Sequence, residues 1–338
     1  MPIELRRLRA LRLAWGTALT LAASFGVGLP VPFLAPVLAV LLLAMRAQAL
    51  PLRAAPALAL LVLFSAGSGL LLIPLLRNAP ASGVLLVGLG LFLCFRYLLQ
   101  GGNGLLANLL VIGLSMVSAA GTGDFTLALS VVEALAKGML LAVLGAVVAH
   151  VLFPEPADAP APPVPPRLDA GEVNWIALRA TLVVMPAFLL ALIAPDQFMP
   201  LIMKAMSLGQ QTCETRARHA ARELVGSTLL AGLLAILLWG GLSLFVHLWM
   251  FFLWTLLFIL WQSRRLYQAV PNRQTPAYWV GCMTTMLILL GQSVQDSEAG
   301  QDVYRAFAIR MALFLAVSLY ASAMVVWIDS RRARVRVA

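Results

Sequence analysis

Lys204 is the strongest candidate for a functional residue in this chain. It is a cation within an apolar segment that runs from residue 194 to residue 207. A charge inside a bilayer costs on the order of several kcal/mol unless it faces a polar cavity or a partner. Ser207 and Gln211 follow at helical spacings of three and four, so the three side chains form a polar stripe that could bind a carboxylate. The alternative is structural, with Lys204 extending to the membrane surface or bonding to carbonyls freed by Pro200.

Three further cations lie within or at the edges of apolar stretches. They are Lys137, Arg179 and Arg310. Arg310 has no acid three or four positions away, and its planar guanidinium suits a carboxylate. Because all these charges are positive, they indicate an anionic ligand.

Glu133 precedes Lys137 by four residues, which is the favourable order for an ion pair on one helix. Two interpretations stay open. The pair is a neutral structural unit, as buried pairs often are. Alternatively, Glu133 exchanges a proton and releases Lys137 toward the ligand, which would couple transport to a proton gradient.

Other polar residues follow regular spacings. Tyr278, Thr285 and Gln292 recur at intervals of seven and could line a conduit, although Tyr278 is also typical of an anchor at the membrane surface. Arg218 and Arg222 could make the first contacts with an incoming anion, or belong to a solvated helix end.

Composition requires these residues to be positioned by membrane helices. Of the 338 residues, 62% are apolar and 11% are charged, and the mean hydropathy is +0.93, which excludes a soluble globular domain. We predict an all-α polytopic membrane protein of about twelve transmembrane helices. The predicted stretches are 11–28, 33–45, 57–76, 83–99, 105–119, 129–152, 174–194, 197–207, 221–239, 242–261, 277–292 and 303–328.

Charge placement predicts the orientation. Arginines cluster at both termini and in alternate connections, which places both termini in the cytoplasm of a bacterial inner membrane. The formal net charge of +10 then follows from topology. Since the arginines are spread over many short loops, nucleic-acid binding is not expected.

A proline-rich linker divides the chain. We predict a first six-helix repeat at 1–153, a cytoplasmic linker at 154–171 and a second repeat at 172–338. Leu11-Arg12 and Leu178-Arg179 open the two halves alike. An even number of spans makes the repeats parallel, and such repeats bind ligands at their interface beside broken helices. Prolines interrupt the second span of each half, which fits this interpretation. The alternative is that they are ordinary proline kinks of membrane helices. These prolines are Pro30, Pro32, Pro36, Pro195 and Pro200.

Several functions are not expected from the sequence. Cys94, Cys213 and Cys282 show no metal-binding spacing, so we predict no metal and no cofactor. The sequence has no G-x-x-x-x-G-K-[ST], H-E-x-x-H or G-x-S-x-G motif. We therefore expect no enzyme activity, and transport driven by an ion gradient or by a partner protein.

The segment 218–232 begins with a basic entry and continues with Gly226-Ser227-Thr228, and Ala308-Ile309-Arg310 lies in the final span. Both features resemble recurring signatures of the fusaric acid resistance and aromatic acid exporter family. The resemblance extends to Arg222, Gly226 and Arg310, whereas the role of Lys204 rests on physical reasoning alone. It implies an inner-membrane exporter of aromatic carboxylates that works with a periplasmic adaptor and an outer-membrane channel.

The chain departs from that family in one respect. A typical member has a cytosolic domain after each six-span half, whereas this chain has the proline linker and a short tail, 330–338. It therefore resembles a short branch of bacterial membrane proteins allied to the family.

The expected function is proton-driven export of small organic anions across the inner membrane, with the protein embedded in the lipid bilayer. Lys204, Arg310 and Lys137 would neutralise the carboxylate, and Ser207, Gln211 and Gln292 would orient it. Thr285 and Arg222 are further candidate substrate-binding residues. The chain could act as a homo-oligomer. Two alternatives stay open. One is a scaffold or accessory subunit of a larger pump. The other is an integral-membrane enzyme, which is less favoured because the acidic residues are scattered along the sequence.

Overall fold

The computed structural model describes residues 3–45, 55–155, 169–214, 219–245 and 247–337. Within these ranges the chain forms helices joined by short connections, and no residue is in a β-strand. The helices of the first half are α1 (Ile3–Gly26), α2 (Leu34–Met45), α3 (Ala55–Asn78), α4 (Pro80–Leu99), α5 (Gly104–Ile112), α6 (Ser118–Gly123) and α7 (Phe125–Leu152). Those of the second half are α8 (Ala170–Ile193), α9 (Pro195–Glu214), α10 (Gly226–Leu244), α11 (Leu248–Leu266), α12 (Pro276–Glu298) and α13 (Val303–Val337).

Two π-helical turns connect parts of these helices. Gly113–Val117 joins α5 to α6, and Ala221–Val225 leads into α10. With the joined pieces counted once, the described part of the chain has twelve helical rods, one at each predicted apolar stretch. A π-helical turn widens the backbone locally and often occurs at functional sites.

Eight of the rods are long and apolar enough to cross a membrane. They are Leu60–Asn78, Pro80–Leu99, Gly104–Gly123, Phe125–Leu152, Ala170–Ile193, Ala221–Leu244, Pro276–Glu298 and Val303–Arg331. Of the other four, α2 has only 12 residues, and α1, α9 and α11 carry more polar or aromatic side chains. The predicted fold class, an all-α polytopic membrane protein, is confirmed.

The prolines of the second spans act at helix starts. Helix α2 begins after Pro30 and Pro32, and α9 begins at Pro195 and continues through Pro200. Proline is favoured at the first helical position because its missing N–H would be unpaired there in any case. The predicted interruption of both spans stays a prediction, since Pro36 lies in the first turn of α2 and Pro200 lies inside α9.

The described helices pack into two compact units. Unit 1 consists of Met1–Val62, Glu133–Val164 and Leu230–Ile309, and unit 2 consists of Leu63–Val132, Pro165–Leu229 and Arg310–Ala338. Each unit thus combines the first, second and sixth rods of one half with the central rods of the other.

The packing inside each unit follows the same plan. In unit 1, α1 packs on α2 and α11, and α2 packs on α12. In unit 2, the equivalent α8 packs on α9 and α4, and α9 packs on the rod formed by α5 and α6. This correspondence supports the duplicated six-helix design. The boundaries at residues 153 and 172 stay a prediction, and residues 156–168 of the linker lie outside the described residues.

Unit 2 contains a close helix crossing that allows a test. A Cβ added at Gly69 on α3 would lie 2.1 Å from the carbonyl oxygen of Gly113, in the π-helical turn. Two residues earlier, a Cβ added at Gly67 would meet no atom within 4 Å. We expect Gly69→Ala to lower the melting temperature of the detergent-solubilised protein, because two backbones must separate. The matched Gly67→Ala variant should melt as the wild type does, and equal melting of both variants would contradict the crossing.

Candidate functional site

Lys204 lies on α9 in unit 2, on the helix that carries several other polar side chains. Helix α9 carries it between apolar neighbours that are themselves buried, and its side chain has no solvent exposure. Full burial excludes the alternative in which Lys204 extends to the membrane surface. A lysine ammonium is rarely buried unless it is paired or hydrogen-bonded. The role of Lys204 therefore depends on the polar residues of α9 and of the helices packed on it.

Ser207 and Gln211 share the helix face of Lys204, as the spacing predicts. The Gln211 side-chain amide donates to the Ser207 hydroxyl at 3.4 Å. Ser227, at the start of α10, donates to the Gln211 side-chain oxygen, also at 3.4 Å. Gln211 and Ser227 are both buried, so the bond between them joins α9 to α10 in the interior of unit 2.

A second, tighter contact joins α9 to α5. The side-chain amide of Gln210 donates to the side-chain oxygen of Asn108 at 2.7 Å, and Asn108 is buried. We call these residues together the α9 polar cluster. Its members are Asn108, Lys204, Ser207, Gln210, Gln211 and Ser227. The cluster combines one cation with amide and hydroxyl donors, which is the chemistry that binds a carboxylate.

Arg179 has a structural role in unit 2. Its guanidinium donates to both carboxylate oxygens of Asp329, at 3.0 and 2.8 Å, and also to the backbone carbonyl of Thr212. Asp329 lies near the end of α13, and Arg179 is almost completely buried. The sequence grouped Arg179 with cations that bind an external anion. The structure corrects this, because Asp329 of the same chain is its counter-ion.

Arg12 occupies the equivalent place in unit 1. It donates to Glu155 at 2.9 Å and to the carbonyl of Phe153 at 3.1 Å, and Arg9 binds the same carboxylate. Each half thus pairs the arginine of its first rod with an acid at or just beyond the end of its last rod. The two acids were not predicted as partners of these arginines from the sequence.

The Glu155 carboxylate makes the stability of unit 1 depend on pH. Burial alone would raise the pKa of Glu155, but hydrogen bonds and positive charge from Arg9 and Arg12 outweigh it and hold the pKa below its ordinary value of 4.5. A depressed pKa in the folded state adds stability above about pH 4.5, and this stability is lost as the pH falls through the folded value.

We therefore expect Glu155→Gln to lower the melting temperature at pH 7, with the difference from wild type shrinking as the pH falls below 4.5. Thermal unfolding in detergent across this pH range measures it. Glu4→Gln, which removes an exposed carboxylate of α1, is the control. A melting difference that does not change with pH would contradict the ion pair.

Glu133 and Lys137 form the ion pair that their spacing favours. The ammonium lies 2.5 Å from the carboxylate, and the two side chains are 54% and 47% exposed for Lys137 and Glu133. Neither residue belongs to the α9 polar cluster. Their predicted roles in substrate binding and proton coupling stay predictions.

The remaining predicted site residues lie in different surroundings. In unit 1, Thr285 is fully buried, and its hydroxyl donates to the Gly281 carbonyl at 2.6 Å, while Gln292 is half-buried. In unit 2, Arg222 is exposed on the π-helical turn and Arg310 is half-buried near the start of α13. None of these four roles is tested by the placement, and Arg218 lies outside the described residues.

The sequence did not indicate Asn108 as a site residue, and Ser227 was named only as part of the family signature. Asn108 and Ser227 complete the α9 polar cluster, and Glu223 is buried one turn before Ser227. Arg222 is exposed beside the buried Glu223, and both interpretations of Arg222 stay open. Asn108 could have been noticed as the one polar side chain of the apolar run 104–112. Ser227 and Glu223 share the four-residue spacing of a helix face.

The comparisons concern the first half of the chain. A family model described as "Protein of unknown function (DUF2955)" matches residues 9–149, which extend from α1 into α7. No curated protein and no solved structure matches the chain. Over residues 9–149 the chain is thus similar to DUF2955, a family of membrane proteins.

Proposed function

We propose that this protein is an inner-membrane exporter of small organic anions, with aromatic carboxylates as its substrate class. The observation that carries the proposal is the fully buried ammonium of Lys204 within the α9 polar cluster. Such a charge is costly inside a membrane protein and is typical of a substrate or ion pathway.

The hydrogen bonds of the cluster suit reversible binding. The two contacts of Gln211, with Ser207 and Ser227, are 3.4 Å long. This length exceeds the usual range for hydrogen bonds that involve hydroxyl groups, so the contacts are weak. A carboxylate that replaced these two contacts would replace only weak hydrogen bonds. The 2.7 Å contact between Gln210 and Asn108 would meanwhile keep α9 anchored on α5.

We propose a proton gradient as the driving force, because the sequence has no nucleotide-binding motif. Glu133 remains the candidate for the proton-coupled acid. The resemblance to aromatic acid exporters adds a periplasmic adaptor and an outer-membrane channel as proposed partners.

Transport of labelled benzoate into proteoliposomes tests the proposal. Where the protein is inserted with its cytoplasmic face outward, an acidic lumen should drive benzoate inward as protons leave. Passive diffusion of benzoic acid gives the opposite result, because weak acids accumulate in an alkaline lumen. Accumulation no greater than in protein-free liposomes would overturn the proposal. Glu133→Gln should abolish the dependence on the pH gradient if Glu133 carries the proton.

A further inference from the structure

Helix α7 presents an apolar face to the outside of the chain. Leu129, Leu140, Leu144 and Val148 are between 40% and 57% exposed. Glu133 and Lys137 lie on the same face, because all six positions recur at spacings of three, four or seven. We call these six residues the α7 outer face. The opposite side of α7 packs within unit 1, where a Cβ at Gly145 would lie 2.1 Å from the Thr20 hydroxyl.

The ion pair on this face lies near the middle of the span. Glu133 and Lys137 are the ninth and thirteenth of the 28 residues of α7. At about 1.5 Å per residue, Lys137 is roughly 18 Å from one end of the helix and 22 Å from the other. The hydrocarbon layer is about 30 Å thick, so a helix of this length that is centred in it places the Lys137 charge well inside the hydrocarbon.

We propose that the α7 outer face is the contact between two copies of this protein, with the ion pairs of the two copies joined at its centre. Hydrocarbon does not solvate exposed charges, so such residues pair with one another inside a bundle. The apolar residues toward the end of α7, namely Leu140, Leu144 and Val148, would pack against the same residues of the second copy.

Charge complementarity is the reason for assigning a second copy. Two copies enter the membrane in the same direction, so their twofold axis is parallel to the membrane normal and the two α7 helices run parallel. Glu133 of one copy then lies about one turn from the level of Lys137 of the other. Cross-pairing over such an offset is the arrangement of charged positions in parallel coiled coils. The four charges sum to zero, and each acid gains a second cation.

Disulfide crosslinking in lipid bilayers tests the contact. In a background with Cys94, Cys213 and Cys282 replaced by alanine, Leu144→Cys should form a covalent dimer on mild oxidation. Leu233→Cys on α10 is the matched control, because Leu233 is 54% exposed and Leu144 is 57% exposed. Equal crosslinking at the two positions, or a monomer at every protein-to-lipid ratio, would overturn the proposal.

Charge reversal tests the ion pairs themselves. Lys137→Glu places four carboxylates at the contact and should reduce the dimer fraction, measured by single-molecule photobleaching in bilayers, by at least tenfold. The double variant Glu133→Lys with Lys137→Glu restores complementary charges and should restore the dimer. Unchanged dimerisation of Lys137→Glu would overturn the role of the charges. Because no transport is measured, failure of this proposal is distinguishable from failure of the proposed function.

Discussion

Replacing Lys204 with methionine is expected to lower the rate of benzoate transport at least tenfold while the protein stays folded. Methionine has a similar length and no charge, so the buried volume is kept. A tenfold loss corresponds to about 1.4 kcal/mol of lost interaction with the anion. This is a small part of the energy that a buried charge can contribute to anion binding.

The measurement compares initial rates in proteoliposomes at equal protein content, with melting temperature as the check on folding. Leu208→Met is the matched control, because Leu208 is also fully buried on α9 and carries no charge. Its transport rate should equal that of the wild type. Wild-type transport by the Lys204→Met variant would remove Lys204 from the mechanism and favour the interpretation of this cluster as a structural feature.

Breaking the ion pair of Arg179 and Asp329 is expected to have the largest effect on stability. Asp329→Asn leaves a buried guanidinium without its carboxylate, and uncompensated buried charges cost about 3 to 5 kcal/mol. Since the Asp329 side chain is 30% exposed, water offsets part of this cost, and we expect a loss of about 2 kcal/mol. Unfolding of the detergent-solubilised protein measures the loss.

The double variant Arg179→Met with Asp329→Asn distinguishes the ion pair from a general weakening of the helix end. With both charges removed, no guanidinium is left unpaired, so much of the lost stability should return. Additive losses in the double variant would show that the two residues contribute independently.

The short-range features of this protein could be predicted from its sequence. The ion pair of Glu133 and Lys137 follows from a four-residue spacing on one helix, and it is present in the structure. The helix-face relationship of Ser207 and Gln211 was equally readable, because positions four apart are neighbours on any α-helix. The all-helical membrane class followed from composition.

The long-range partners could not be predicted. Arg12 and Glu155 are 143 residues apart, and Arg179 and Asp329 are 150 residues apart. No local pattern specifies which acid a buried arginine will meet, because the choice depends on how whole helices pack. The same reason explains why Asn108, on α5, was not recognised as a partner of Gln210. For the same reason, the sequence did not predict which helices of the two halves combine in each unit. Hydropathy locates the spans but does not show which spans pack together.

That interleaving has a consequence for biosynthesis. Unit 1 contains α1 and α2 together with α11 and α12, so two helices that are made early must wait for two that are made much later. Newly inserted α1 and α2 would lie in the lipid with part of their packing surfaces uncovered until α11 and α12 are inserted. Fragments that end at the proline linker should therefore be targets for membrane proteases, and co-expression of the missing half should protect them.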